Sequence, residues 1–159
     1  MASPFPATQQ VVESLRGRLG AAVSSAVPIK PTYAKVMVDA AKVIEAAAYL
    51  KELGFDHVIS VGGTDYPEDK QIEVFYHAAS VSREELKRVV IILATRVPRD
   101  HPVIPTSTTV WPSAEYHERE AYEGLGIIFE GHPNLQRILL PEDWDDIPPL
   151  RKEFRLPGR

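Results

Sequence analysis

Apolar residues recur at helical spacing at Val11, Val12, Leu15 and Leu19, with Thr8 placed to cap a short helix and Gly20 to stop it. The stretch "AAVSSAVPIKP" that follows reads as a linker, and residues 33–38 read as a strand. Asp39 falls at an N-cap position, after which Val43, Ala47, Leu50 and Leu53 form one apolar stripe ending at Gly54, the clearest helix of the chain. Next come "FDHVISVGG", a strand, the breaker-rich turn "TDYPEDK", and "QIEVFYHAA", in which Ile72, Val74, Tyr76 and Ala78 share one face. These two segments predict a hairpin whose turn accounts for the glycines of "SVGGTD".

In "SREELKRVVIILATRV", Ser82 and Glu85 stand in capping-box spacing, which predicts a single helical turn before a buried strand over 88–95. A continuous helix fits the same residues. From 97 to 112 the chain carries Pro98, Pro102, Pro105 and Pro112, which reads as a stiff, exposed connector. Pro112 suits the first turn of a helix that runs to about Gly124, with Gly124 and Gly126 ending it. The remainder is too rich in glycine and proline for a long helix and reads as turns, a short strand and an extended tail.

Composition narrows the picture. At 159 residues the chain is long enough to bury a real core as one domain with a tail, and its 44 % hydrophobic content is that of an ordinary globular protein. A formal net charge of -4 lacks the basic excess that phosphate binding requires, so nucleic acid is not an expected partner. The absence of cysteine excludes disulfides, thiolate nucleophiles and any iron–sulfur cluster held by this chain's own thiolates, and is consistent with a cytoplasmic protein. "MASPFPATQQVV" has neither the basic start nor the apolar stretch of a signal peptide, and the longest apolar run, "VVIILA", is too short to cross a bilayer. The expectation is a soluble chain with no direct membrane insertion.

The densest chemistry lies in "EYHEREAYEGLGIIFEGHPNLQRILLPEDW", residues 115–144. Ala114, Glu118, Ala121 and Leu125 fall on one helical ridge, so Glu118 shares a face with small apolar residues, where a carboxylate needs a cation or several donors. Arg119 lies four residues from both Glu115 and Glu123, which predicts a solvated face of intrahelical pairs worth about 0.2–0.5 kcal/mol each. "HERE" at 117–120 approaches a zinc-protease helix, but the second histidine would fall at Ala121. Glu118 with Glu120, or Glu120 with Glu123, could serve as an acid and base pair, and His132 as a base or ligand, yet no metal-ligand spacing or phosphate loop accompanies them. His132 in "GHPN" reads as capping a turn or bonding a carboxylate, and His57, His77, His101 and His117 are scattered singly. A proline-braced run of charge with aromatics is the composition of a protein contact, with Arg, Tyr and Trp anchors inside a polar rim.

"TVWPSAEYHEREAYEGLGIIFEGHPNLQRILLPEDW" resembles the signature of the 30-kDa subunit of respiratory complex I (NADH-quinone oxidoreductase). The matching residues are Trp111, Pro112, Ser113 and Ala114, then Glu118, Arg119, Glu120, Tyr122, Glu123, Gly126, Ile127, Phe129, Gly131, His132, Pro133, Arg137, Ile138 and Leu139. A second block, "PLRKEF" from Pro149 to Phe154, is similar to the family's closing motif. The chain departs from the pattern at Gly124 and Leu125, where two apolar residues are usual, and at Gln136, where a basic residue is common.

The resemblance implies an α+β fold, a small mixed or antiparallel sheet with helices packed on one face, over residues 1–144, and an extended C-terminal arm over 145–159 that docks on a neighbour. It implies a non-catalytic structural subunit of the hydrophilic, peripheral arm of a respiratory translocase, on the cytoplasmic side of the energy-transducing membrane. The expected partners are the large quinone-site (49-kDa-like) subunit and the small iron–sulfur subunit. No cofactor is expected on this chain, because the iron–sulfur clusters and the quinone belong to those partners. The expected subunit interface comprises Glu118, Arg119, Glu120, Tyr122, Glu123, His132, Pro133, Arg137, Leu150, Arg151, Lys152 and Phe154, with charge pairs at the first of these, Arg151 and Lys152 on partner carboxylates, and Phe154 as an apolar anchor. The electron donor, NADH, F420H2 or ferredoxin, is left open, as is the equivalent place in a membrane-bound hydrogenase. From a different class comes a stand-alone hydrolase using Glu118, Glu120 and His132.

Overall fold

The alternation in "QIEVFYHAA" settles which side of the sheet is the inside. Ile72, Val74, Tyr76 and Ala78 are all fully buried, and the strands beside them repeat the pattern with Ala34 and Val36, and with Ile91 and Leu93. The computed structural model of the protein describes residues 6–158, so part of the stretch read for a signal peptide lies outside the described residues. Its elements are α1 (Pro6–Leu19), β1 (Val23–Lys30), β2 (Tyr33–Val38), α2 (Val43–Glu52), β3 (His57–Tyr66), β4 (Gln71–Ala79), β5 (Val90–Pro98), β6 (Val103–Pro105), α3 (Ala114–Leu125) and β7 (Ile128–Glu130). Five strands form a mixed sheet in the order β1-β2-β5-β4-β3, in which only β2 and β5 run parallel. Helix α1 packs on β1 and β2, α2 on β5 and α3 on β3, so the helices cover one face and the fold is α+β as expected. The opposite face carries a charge ladder in which Glu73 meets Lys35 at 2.5 Å and Arg96 at 3.5 Å.

Several sequence expectations are corrected. "AAVSSAVPIKP" is mostly strand β1, paired antiparallel to β2 with Ala26 opposite Val36. Pro28 is tolerated there because β1 is the sheet's edge and its missing N–H faces no further strand. The connector from 97 to 112 is exposed only in part: Pro98, Pro105 and Pro112 face solvent, but β6 pairs in parallel with β7, and Ile104, Thr106, Ser107 and Trp111 are buried. The Trp111 indole N–H donates to the Phe55 carbonyl at 2.9 Å, which lets the largest side chain of the segment enter the core without an orphaned donor. Gly62 and Gly63 lie inside β3, and the turn is confined to 67–70. A Cβ on Gly63 would meet Leu125 Cδ1 at 2.7 Å and the Glu73 carbonyl oxygen at 2.9 Å, so close packing of the α3 end demands that glycine.

The remaining differences are local. The short 3₁₀ turn Glu84–Leu86 has Arg83 at its N-cap position and no side-chain cap from Ser82; the Ser80 hydroxyl accepts the Arg83 N–H at 3.1 Å, and the residues after the turn form β5 rather than a continuous helix. Asp39 occupies an N-cap position without a side-chain bond, and a 3₁₀ turn, Ala40–Lys42, precedes α2. No helix among the described residues is long and apolar enough to cross a membrane.

Candidate subunit-docking site

Helix α3 ends at Gly126, whose φ of 79° supplies the left-handed conformation that closes the last turn onto the Tyr122 carbonyl. Its inward ridge is the predicted one: Ala114, Glu118, Ala121 and Leu125 are all buried. Glu118 is fully buried. It accepts hydrogen bonds from the Thr106 hydroxyl at 2.5 Å, the Ser107 hydroxyl at 2.6 Å and the Ser107 N–H at 2.7 Å. Burial pushes its carboxyl above the usual range, and those three donors only partly offset the shift. The same burial, with the nearby Glu118 charge, drives the Tyr76 phenol well above its ordinary value, so Tyr76 stays neutral.

His132 closes the site from the other side. Its Nδ1 accepts the Asn134 N–H at 3.0 Å, which leaves Nε2 as the donor to the Glu115 carbonyl at 2.9 Å; Nε2 also lies 4.0 Å from Glu118. Of the two predicted roles the turn cap is the one realised: the other ring nitrogen bonds a backbone carbonyl, and the Glu118 carboxylate lies beyond hydrogen-bond reach. The hydrolase reading loses its geometry here. Glu118 and His132 have no exposed side-chain surface, while Glu120, two residues along the helix and about 200° around it, faces solvent.

The predicted intrahelical pairs of Arg119 do not form. Its guanidinium donates instead to the carbonyls of Gln136 at 2.9 Å and Arg137 at 3.4 Å, while the ring of Tyr116 lies under it at 5.5 Å. Glu123 also turns to the segment after β7, accepting the N–H groups of Ile138 at 2.9 Å, Leu139 at 3.0 Å and Leu140 at 3.2 Å. Burial alone would raise its carboxyl, but the N–H groups of Ile138, Leu140 and Leu139 outweigh that and hold it below the usual carboxylate range. Arg137 in turn donates to the carbonyls of Pro141 and Glu142. Segment 136–142 has no regular structure of its own, so three charged side chains satisfy its backbone and fix its path.

The C-terminal arm does not stand apart from the domain. The Leu150 N–H bonds the Gly124 carbonyl at 2.8 Å, and Arg151 donates to the carbonyls of Leu125 at 2.7 Å and Arg99 at 3.2 Å. Buried Asp65 accepts Arg99 through both oxygens, at 2.6 and 2.9 Å, and the Lys152 N–H at 2.8 Å; Arg99 also pairs with Glu153. Arg99 therefore holds the Asp65 carboxyl below its ordinary range. The Phe154 ring packs on Trp144 at 5.9 Å. Arg151 and Phe154, expected to reach a neighbour, are engaged within the chain, while the Lys152 side chain stays exposed. The reason is that the end of α3 leaves carbonyls that need donors, and the nearest guanidinium supplies one.

What this bracing presents is apolar. Leu139 is 79 % exposed and Leu150 63 % exposed, and both line one groove whose floor is Gly124, with Glu120 at its margin. Tyr122 is half-buried against the core, and Pro133 is exposed. Leu139 was missing from the expected interface, although the run "RILL" between glycine- and proline-rich segments carries the signal: apolar residues with no periodicity to bury them. At the Gly124 departure a Cβ would lie 2.7 Å from Leu150 Cδ1, so a larger residue there would displace the exposed Leu150 side chain.

The fold is thus an α+β domain that holds an exposed, apolar loop in a fixed shape. Residues 36–159 match the family described as the respiratory-chain NADH dehydrogenase 30 Kd subunit. The chain is 41 % identical over 145 residues to a subunit of the F(420)H(2) dehydrogenase of Methanosarcina mazei, covering 91 % of this chain and 89 % of the relative. It is 42 % identical over 122 residues to a subunit of the NADH-quinone oxidoreductase of Moorella thermoacetica, covering 76 % and 79 %. Among solved structures, a trypsin-resistant fragment of Nqo5 superposes with a TM-score of 0.67 at 28 % identity, over 80 % of this chain and 98 % of the fragment. A chain of the archaeal membrane-bound sulfane sulfur reductase shares the fold, with a TM-score of 0.76 at 24 % identity, over 93 % and 85 %. The protein belongs to the complex I 30-kDa subunit family and is a subunit of an NADH-quinone oxidoreductase-type complex.

Proposed function

We propose that the chain is a structural subunit of the peripheral arm, with no catalytic site and no cofactor of its own, that docks on the large quinone-site subunit and the small iron–sulfur subunit on the cytoplasmic side of the membrane. The observation that carries this reading is the Leu139–Leu150 groove. Two large apolar side chains are held out to solvent, Leu139 on a segment fixed by Glu123, Arg119 and Arg137 and Leu150 by its N–H on the Gly124 carbonyl, an arrangement that costs stability in a lone chain and is recovered when a partner covers it. Glu118 and His132 serve from inside, locking the α3 entry to the 106–107 loop rather than touching a partner.

The donor of electrons is set elsewhere in this reading. Relatives named for F420H2 and for NADH are equally similar to this chain, at 41 % and 42 % identity, as expected of a protein that touches neither donor. Purification of the tagged chain from its native membrane, with its companions identified by mass spectrometry, tests the proposal. The expected companions are a large quinone-site subunit and a small iron–sulfur subunit; recovery as a homogeneous, hydrolytically active monomer would overturn it.

A further inference from the structure

The charged residues that line the groove, Glu120 and Glu123, are both acidic, and so is the stretch of chain that joins its two walls, Leu140 and Pro149. Residues 136–150 carry Glu142, Asp143, Asp145 and Asp146 against a single arginine, Arg137, whose guanidinium is already occupied by two backbone carbonyls. All four carboxylates are exposed, and none forms an ion pair among the described residues. Glu120, at the groove's margin, is likewise exposed, with only His117 at 3.9 Å beside it. None of the arm's described basic side chains lines the groove: Arg151 caps α3, exposed Lys152 lies beside Asp65 and Tyr66, and Arg155 donates to the carbonyls of Lys152 and Phe154.

We infer that the occupant of this groove is a polypeptide surface of a partner subunit with an apolar ridge flanked by lysine or arginine. The inference rests on the docking reading and adds the partner's chemistry. Leu139 and Leu150 demand apolar side chains opposite them, and a cover that dehydrates the neighbouring carboxylates without supplying cations would bury unpaired charge. A basic rim avoids that penalty and also steers the encounter, because complementary rim charges act chiefly on the association rate and its salt dependence. An anionic lipid surface has the wrong sign for this site, and an acidic protein surface would be repelled. This reverses the polarity read from the sequence, where Arg151 and Lys152 were to meet acids on the partner.

The test uses the native complex prepared without this chain, to which purified full-length chain is added while association is followed across salt concentrations. Neutralising the rim with Glu142→Gln, Asp143→Asn, Asp145→Asn and Asp146→Asn should slow association about 10-fold at low salt and flatten its salt dependence. Leu139→Ser with Leu150→Ser should raise the dissociation rate about 10-fold or more with the salt dependence retained, as expected for loss of central apolar anchors. All six positions are outside the core, so an unchanged thermal melt confirms that both variants fold. If the serine pair weakens binding while the neutral rim leaves rate and salt dependence unchanged, the basic occupant is overturned and the docking reading stands. If neither variant alters association, both fall.

Discussion

Replacing Glu123 by glutamine probes the brace that shapes the groove. One carboxylate oxygen accepts the N–H groups of Ile138, Leu139 and Leu140, and the other lies 3.2 Å from the Leu139 N–H. A glutamine can keep one oxygen in the first position, but its amide then sets a donor against the Leu139 N–H. Bonds to a charged acceptor are worth about 1.5–3 kcal/mol. Water can replace part of the loss at a segment this exposed, so the loop's local stability should fall by about 1–2 kcal/mol, with little change in global unfolding. Amide hydrogen exchange reads this directly: protection of residues 138–140 should drop about 5- to 30-fold, at 1.4 kcal/mol per factor of ten. The pH dependence has a defined sign. Because the folded carboxyl is held below its ordinary range, its contribution is present above the unfolded value of about 4.3 and is lost as pH falls through the lower folded value. The wild-type loop should therefore loosen in acid while the glutamine variant shows no such step. Unchanged protection at these three amides would refute the brace.

Glu118→Ala strands a buried N–H and two hydroxyls and should cost about 3–5 kcal/mol in urea unfolding, with Glu118→Gln milder. Burial raises the folded Glu118 carboxyl, so its ionisation destabilises the fold as pH rises through the unfolded value to the folded one; the stability of wild type relative to Glu118→Gln should decline over that window and level off above it. Gly63→Ala places a Cβ against a backbone carbonyl and Leu125, and should lower stability by about 1–3 kcal/mol, read as a reduced Tm. Asp65→Asn removes the charge that holds Arg99 and weakens the contact to the arm, so trypsin should cut faster after Arg151 and Lys152; equal cleavage rates would contradict the clamp.

Periodicity made the sheet face and the helix ridge readable in advance. Ile72, Val74, Tyr76 and Ala78, and likewise Ala114, Glu118, Ala121 and Leu125, lie where their spacing requires, because burying a two-residue or 3.6-residue repeat leaves one orientation. Edge strand β1 was hidden because half of its residues face solvent and one is proline, so its pairing with β2 depends on the partner's backbone rather than on its own pattern. The connector misled for the opposite reason. Its prolines signal stiffness, but Trp111 is buried against the Phe55 carbonyl and the Tyr76 ring and Ile104 pairs beside β7, neighbours that no local pattern encodes.

The family was legible residue by residue near the C-terminus, since a signature preserves side-chain identity and spacing. Apart from Glu118, whose ridge position its spacing gives, what each charged group there would contact was not. Glu118, Arg119, Glu123 and Arg151 resemble one another as charges in a string, yet one is sealed under hydroxyls and three are spent on backbone carbonyls and N–H groups up to 52 residues away. A charged side chain goes to whichever unsatisfied donors or acceptors the folded chain brings within about 3 Å, and those neighbours exist only once the sheet and α3 have assembled.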